Sequence, residues 1–326
     1  MVSSGRSRSE LKRGRTLDLR EVRSIRATRL VLNGVRELAL EQFALPEPGA
    51  LQVVLRTRLS AVSVSSELGV VEGRVPTSFP TTLGYQTLGV VEAVGEGVTL
   101  PIGTRVVTTL GHASAGVVPE ARCLVVPPHV SDRAALAAIL GEETFKGVRK
   151  LAASRHESVL IAGAGLLGLL TVFNLTRRGV SNVTVVEPNA ERRALAETFG
   201  AVATSPGHLA REDFDVGFEC SASPEGFAEL LSHLRPRGRA CVLSDGNWGA
   251  LTLPRAFHER ELSVVASSDG EDYQGYAAWL WTHSREGLER LFETTVAPSD
   301  VPSTFERLRR PPRPVSVVVD WSLEGS

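Results

Sequence analysis

The stretch Ser158-Val-Leu-Ile-Ala-Gly163-Ala-Gly165-Leu166-Leu167-Gly168-Leu169 decides how this chain folds. An apolar helical run follows, and then Val183-Thr-Val-Val-Glu187-Pro188. The order is strand, glycine turn, helix, strand, acid: a βαβ unit with a dinucleotide fingerprint. Gly163 permits the tight turn. Gly165 has no Cβ, so a pyrophosphate reaches the backbone, and Gly168 lets the helix pack closely on the strand. The helix start at Leu166, Leu167 and Gly168 offers free N–H groups and a positive dipole end to phosphates. Glu187 ends the second strand, where a carboxylate accepts hydrogen bonds from both hydroxyls of an adenosine ribose. It would repel a 2′-phosphate, which favours NAD(H) over NADP(H). Arg192 and Arg193 follow and read as exposed residues of the next helix. The plain alternative is a glycine turn in an ordinary crossover, with Glu187 a solvated strand end.

Composition sets bounds around that unit. A chain of 326 residues can hold two domains, each with a core. A net charge of −1 and 6% aromatic residues point to neither nucleic acid nor a charged membrane surface. No apolar run is long enough to span a bilayer. Cys123, Cys220 and Cys241 are odd in number, widely spaced and in no metal-ligand pattern, which suits a reducing cytoplasm.

Working outward, residues 1–25 are rich in Arg and Ser without hydrophobic periodicity and read as a disordered basic tail. Short strands follow. Ala27–Asn33 and Glu37–Phe43 form a hairpin through Asn33-Gly34, and Leu51–Leu59, Thr87–Val94, Thr104–Thr109 and Ala121–Val126 read as further strands. Ser60–Gly73 between them is polar and small. This spacing suggests a compact, barrel-like β domain. Asp132–Ala153 turns helical and carries a polar knot at Gly141–Gly147. Beyond Glu187, helices at Ala190–Phe199 and Pro224–Leu234 alternate with strands at Ala201–Thr204, Asp215–Cys220, Arg239–Leu243 and Leu262–Ser267. That alternation gives a doubly wound parallel sheet. Helices around Tyr273–Trp281 and Ser284–Thr294 and a strand at Val315–Val319 close the chain.

This arrangement resembles the medium-chain dehydrogenase/reductase superfamily over roughly residues 26–321. The resemblance rests on Arg26-Ala27-Thr-Arg-Leu-Val31, Leu45-Pro-Glu-Pro-Gly49, Leu83-Gly84-Tyr85-Gln86-Thr-Leu-Gly89, Gly103-Thr-Arg105-Val106, the fingerprint, Phe218-Glu-Cys220-Ser221 and Arg237-Gly238-Arg239. It implies an α/β chain in which a Rossmann doubly wound parallel sheet is inserted into a β-rich GroES-like catalytic domain. The division expected is a tail at 1–25, the catalytic domain at 26–143, the Rossmann domain at 144–271 and a return to the catalytic domain at 272–326. It also implies that nicotinamide and a small-molecule substrate meet in the cleft, and that two copies pair through Rossmann sheet edges, here Leu262–Ser267.

The departures bear on the chemistry. Zinc-dependent members have Cys near the position of Ser65, Gly-His-Glu where this chain has Gly84-Tyr85-Gln86, and a third ligand near Gly141 or Glu142. Ser, Tyr and Gln are poor zinc ligands, and the lobe of four closely spaced Cys is missing, so no metal is expected. Ser60-Ala-Val-Ser63-Val-Ser65-Ser66-Glu67-Leu68, Phe257-His258-Glu-Arg260-Glu-Leu262 and Ser267-Ser268-Asp269-Gly270 look like a zinc-lacking branch that includes bacteriochlorophyllide-type dehydrogenases.

Without a metal, something else must stabilise the alkoxide and move a proton. Tyr85 is the first candidate, against a space-filling aromatic. Lys146 is the second, against a surface lysine paired with Glu142 or Glu143. Glu143 and Glu67 are candidate bases, against solvated or capping carboxylates. His112 is a candidate shuttle at the cleft mouth, against an incidental loop histidine. By resemblance, Cys220, Ser221, Ser244, Asp245, Ser267 and Ser268 flank the nicotinamide at strand C-terminal ends. The leading expectation is a zinc-independent, NAD(H)-dependent oxidoreductase acting between a secondary alcohol and a ketone, on a sugar, cyclitol or specialised metabolite. Reduction of an activated C=C bond, a redox-neutral reaction with transient NAD⁺ reduction, and a non-catalytic dinucleotide-binding protein stay open.

Overall fold

The computed structural model describes residues 26–210, 212–283 and 287–324. The basic tail and part of the helix expected at Ser284–Thr294 lie outside them.

Two sheets carry the molecule. One is parallel and six-stranded, in the order Val202–Thr204, Val183–Val186, Val159–Ala162, Phe214–Glu219, Leu234–Val242, Ser263–Ala266. The chain starts in the middle, winds one way, and returns to wind the other. Its reversal falls between Val159–Ala162 and Phe214–Glu219, and a doubly wound sheet opens its ligand crevice at the carboxyl ends of such a pair. Near-continuous apolar runs such as Val159-Leu-Ile-Ala162, buried throughout, suit strands covered on both faces.

The second sheet has seven strands. Gln52–Val62 lies at its heart, antiparallel to Gln86–Val94 on one side and to Val317–Asp320 on the other. The last strand therefore returns to the sheet begun by the first hundred residues, and the parallel sheet sits between the two halves. A smaller antiparallel sheet holds the hairpin Arg26–Leu32 and Leu38–Ala44, with Thr81–Thr82 at its edge. The helix Ala138–Leu151 links the two large sheets and packs on the helix Leu166–Arg177 that follows the glycine turn.

Several local expectations change, among them three near the site. Ser60–Gly73 is not a small polar stretch: the strand runs on to Val62, and Val64–Val71 is a helix. Val64, Leu68 and Val71 bury against Phe305, Leu308 and Val317. That partner surface comes from the chain's far end, so nothing within the stretch announces it. Ala115–Pro119 is an unforeseen strand paired with Gln52–Arg56. Ala121–Val126 shortens to the strand Leu124–Val125 behind a single turn at Glu120–Arg122.

Candidate active site

The three glycines of the turn meet different demands. Gly163 has φ +93, and a Cβ there would lie 2.7 Å from Ser221 Cα. A Cβ on Gly168 would lie 2.0 Å from the carbonyl oxygen of Gly163. At Gly165 nothing stands within 4 Å, so that face of the backbone is open. Gly165 also caps the helix Leu166–Arg177 without a side-chain hydrogen bond. Open space above an uncapped helix start fits a pyrophosphate.

Glu187 is 4% exposed and is not a solvated strand end. Its Oε2 accepts from Ala164 N at 2.8 Å and its Oε1 from Asn189 N at 2.9 Å. Each oxygen keeps a second lone pair for a ribose hydroxyl. The two arginines are half-buried rather than free. Arg192 donates to the carbonyls of Arg313 at 2.7 Å and Pro314 at 3.2 Å, and Arg193 donates to the carbonyl of Glu187 at 2.7 Å.

Where the two sheets approach, a cleft of about 440 Å³ opens. Ser63 and Tyr85 enter from the β-rich side, Glu143 from the linking helix, and Ser244, Asp245, Ser267 and Ser268 from strand ends of the parallel sheet. Ile139, Leu140 and Leu167 add apolar wall. Tyr85 Oη lies 3.1 Å from Ser66 Oγ, which donates to Ser63 Oγ at 2.8 Å. Burial, and then the nearby Glu143, push the Tyr85 phenol well above its ordinary range. Burial, and then Asp269 and Asp245, push the Glu143 carboxyl up to about 8. Tyr273 Oη donates to Glu143 Oε1 at 3.4 Å and accepts from Gly270 N at 2.9 Å.

A family model for the alcohol dehydrogenase GroES-like domain matches residues 49–141. Along nearly the whole chain, the acetophenone reductase of Geotrichum candidum, solved with NAD, superposes with a TM-score of 0.81 at 19% identity, covering 94% of this chain and 100% of that one. The chain has the fold of a medium-chain dehydrogenase/reductase. Curated relatives include the 2-desacetyl-2-hydroxyethyl bacteriochlorophyllide A dehydrogenase of Cereibacter sphaeroides, 26% identical over 91% of this chain and 99% of that protein. Another is glucose 1-dehydrogenase 1 of Caldivirga maquilingensis, 28% identical over 67% of this chain and 74% of that protein.

Within this medium-chain fold, several expected site residues sit elsewhere. His112 is not at the cleft mouth: it is 1% exposed, with Nδ1 2.8 Å from Ser60 Oγ and Nε2 2.9 Å from Glu67 Oε2. Trp321 Nε1 donates to the same serine oxygen at 3.0 Å, so Ser60 joins the turn Trp321–Leu323 to the histidine in the β-rich core. Glu67 is buried with it, and its Oε1 accepts from Ser63 N at 2.8 Å. Lys146 pairs with neither Glu142 nor Glu143. Its Nζ donates to Ser268 O at 3.1 Å and meets Glu271 at 3.2 Å, behind the cleft wall. Cys220 is buried beside Thr171, where burial raises its thiol, and does not line the cleft. Ser221 lines the neighbouring groove together with Ser65. The serine that shares the cleft with Tyr85 is Ser63, two residues before the position at which the resemblance puts a ligand cysteine.

Of the positions where the resemblance puts zinc ligands, Tyr85 lines the cleft, Gln86 is buried in the strand Gln86–Val94, Ser65 lines the neighbouring groove, and Glu142 is paired with Arg149. Zinc takes thiolate, imidazole or carboxylate, so these residues do not fit it. Among the described residues no three His, Cys, Asp or Glu are grouped to hold a metal.

Reading the sequence missed four contributors. Asp269 lies in a loop whose composition selects nothing, and Tyr273 opens the helix Tyr273–His283. Ser66 passes for one more serine in a serine-rich run. Glu219 is fully buried: its Oε1 accepts from Ser221 N at 2.7 Å and Ala222 N at 3.0 Å, and its Oε2 from Asn247 Nδ2 at 2.7 Å. It fixes both loops that border the crevice, and its only signal was an acid closing an apolar strand.

Proposed function

We propose that this chain is a zinc-independent, NAD(H)-dependent oxidoreductase that interconverts a secondary alcohol and a ketone, on a sugar, cyclitol or specialised metabolite. The observation that carries the reading is Glu143, a carboxyl poised near neutral pH in a cleft that adjoins the dinucleotide turn. A bound nicotinamide supplies or accepts the hydride. The backbone at Gly163, Gly165 and Gly168 and the amides of Leu166 and Leu167 cradle its pyrophosphate. Glu187 takes the adenosine ribose, and Ser244, Asp245, Ser267 and Ser268 border the ring.

The proton side falls to the chain's own groups. At neutral pH Glu143 is protonated and hands its proton to the oxygen of a ketone; in the reverse direction its ionised form takes the proton of an alcohol. Tyr273 orients that carboxyl through its hydroxyl. Tyr85, too weak an acid to release its proton, turns its one O–H from Ser66 Oγ to the same substrate oxygen and donates a hydrogen bond there. Pairing of two copies along the edge strand Ser263–Ala266, in a cytoplasmic setting, completes the reading.

Fluorescence titration of wild type and Glu187→Ala with NADH and NADPH, alongside metal analysis of the purified protein, tests it. NADH should bind more tightly than NADPH, the gap should narrow in the variant, and metal should be substoichiometric. Preferential NADPH binding would move C=C reduction to the front. Failure of both nucleotides to bind, or stoichiometric zinc, would sink the proposal. A redox-neutral reaction would show tight NAD⁺ binding without net NADH formation, and a non-catalytic protein would bind and turn over nothing.

A further inference from the structure

Ser60, Glu67, His112 and Trp321 are buried outside the cleft, and none of them lines it. Their side chains form one run of hydrogen bonds. With its ring proton on Nε2, His112 donates to Glu67 and accepts at Nδ1 from the Ser60 hydroxyl, whose oxygen takes the Trp321 indole. Glu67 gives its other oxygen to the backbone N–H of Ser63, where the helix Val64–Val71 begins. An apolar side chain would fill the place of the imidazole without a desolvation cost. Burying an imidazole against a carboxylate adds little stability of its own; such a pair serves better to hold one arrangement.

The arrangement held is that around the Tyr85 hydroxyl, because His112 touches both segments that meet there. On one side, Gly84 immediately precedes Tyr85. It has φ +88, and a Cβ on it would lie 2.7 Å from His112 Cδ2. The backbone N–H of His112 donates to Leu83 O at 2.8 Å. Ring and backbone together set how the chain enters Tyr85. On the other side, Nε2 reaches the helix start through Glu67. That start carries Ser63 and Ser66, whose hydroxyls are 2.8 Å apart, with Ser66 Oγ 3.1 Å from Tyr85 Oη. We propose that His112 is a positioning residue for the reaction. Acting through Glu67, it fixes the start of the helix Val64–Val71 against the Tyr85 loop, so that the phenol O–H rests on Ser66, one rotation from the substrate oxygen. The proposal rests on the oxidoreductase reading above.

The two ring nitrogens can be replaced separately. In His112→Gln an amide N–H stands where Nε2 was and keeps Glu67. In His112→Asn the shorter side chain keeps Ser60 and loses Glu67. The chain has three tyrosines, so ¹³Cζ-tyrosine labelling gives three resonances, and Tyr85→Phe assigns the one from Tyr85. That resonance should stay in place in His112→Gln and shift or split in His112→Asn, while Tyr273 and Tyr276 hold in both and NADH binding stays intact. With cyclohexanol and NAD⁺, His112→Asn should lower kcat about ten- to a hundredfold, the scale of loss for a misplaced group, with KM near wild type. Added to Tyr85→Phe, it should cost nothing further, since there is no hydroxyl left to position. Should His112→Asn fail to fold, Glu67→Gln replaces it: its single oxygen cannot accept from both His112 and Ser63, so the Tyr85 resonance should shift there too. A Tyr85 resonance indifferent to these changes, three tyrosines moving together, Asn and Gln variants behaving alike, or losses that add in the double variant overturns the proposal. If cyclohexanol is not turned over, the resonances decide alone. Loss of NADH binding in wild type would indict the oxidoreductase reading instead, and the Tyr85 resonance would still judge the role of His112.

Discussion

The turn at Gly163–Gly168 is made of backbone, and the cleft at Ser63, Tyr85 and Glu143 is made of side chains. Both border one crevice, yet they tolerate change differently. In the turn, a methyl group on Gly168 would stand 2.0 Å from a carbonyl oxygen that has nowhere to go. The demand is steric and leaves one residue type. In the cleft, Ser63, Tyr85 and Glu143 are side chains that project into open space from a strand-to-helix junction, a loop and a helix, so the backbone around them does not dictate their chemistry. A framework can thus hold a cofactor by fixed geometry while the adjoining groups that move protons are exchanged. Two carboxyls in the β-rich half and its linking helix sharpen the point. Glu67 is buried against His112 and a backbone amide and serves the fold. Glu143 has no cationic partner in its cleft, and burial holds its proton on.

The broadest effect, on stability and cofactor affinity together, should come from Gly168→Ala. The added methyl drives the helix start off the strand, costing about 1–3 kcal/mol of stability. NADH affinity should fall by more than about tenfold, since 1.4 kcal/mol of misplaced contact already gives that factor. Gly165→Ala, placed in open space, should leave the melting temperature near wild type and weaken only the nucleotide. A tolerant Gly168 would break the contrast between rigid turn and permissive cleft.

Glu143→Gln should lower turnover by about a hundredfold or more, the usual loss when a general acid is removed, and leave NADH binding unchanged in titration. Wild-type ketone reduction should fall as pH rises through about 8, and alcohol oxidation should rise over the same range, because the two directions need opposite forms of Glu143. Its carboxyl sits above its ordinary 4.5, so between about 4.5 and 8 the folded state keeps a proton the unfolded state has lost. Stability therefore declines as pH climbs through that window and levels off above it. In thermal melts, Glu143→Gln should gain on wild type by a few degrees between pH 5 and pH 8.5. A constant difference would remove the carboxyl from the role given to it.

Smallest is Lys146→Met. Its ion pair with Glu271 is partly exposed and contributes about 0–1 kcal/mol. Melting temperature and kcat should barely move. A large loss of kcat would restore Lys146 to the chemistry and blur the contrast.

Legibility followed the same divide. The turn, the parallel sheet and Glu187 could be read directly, because a backbone constraint leaves glycines at fixed offsets and a buried parallel strand leaves an apolar run. Tyr85 could be singled out because the resemblance puts a metal ligand at its position. His112 could not be placed, because its partners Ser60, Glu67 and Trp321 come from three separate segments. The helix Val64–Val71 was hidden for the same reason, its apolar face being completed by Phe305 and Val317. Lys146 stood at helical spacing from Glu142 and Glu143, yet took Glu271 and a carbonyl from the neighbouring loop instead. Ser63 and Ser65 differ by two positions, and only the strand-to-helix junction decides which one faces the cleft. Local spacing shows what backbone demands; side-chain partnerships across distant segments wait for the fold.

The most direct test of the proton-transfer role given to the cleft is to titrate Glu143 itself. Glutamate carboxyl carbons labelled with ¹³C would be followed by NMR from pH 3 to 10, with Glu143→Gln supplying the assignment. One resonance titrating near 8, absent in the variant, is the predicted result. If the resonance lost in the variant titrates in the ordinary carboxylate range, the group poised for proton exchange is not Glu143, and the mechanism built on it falls.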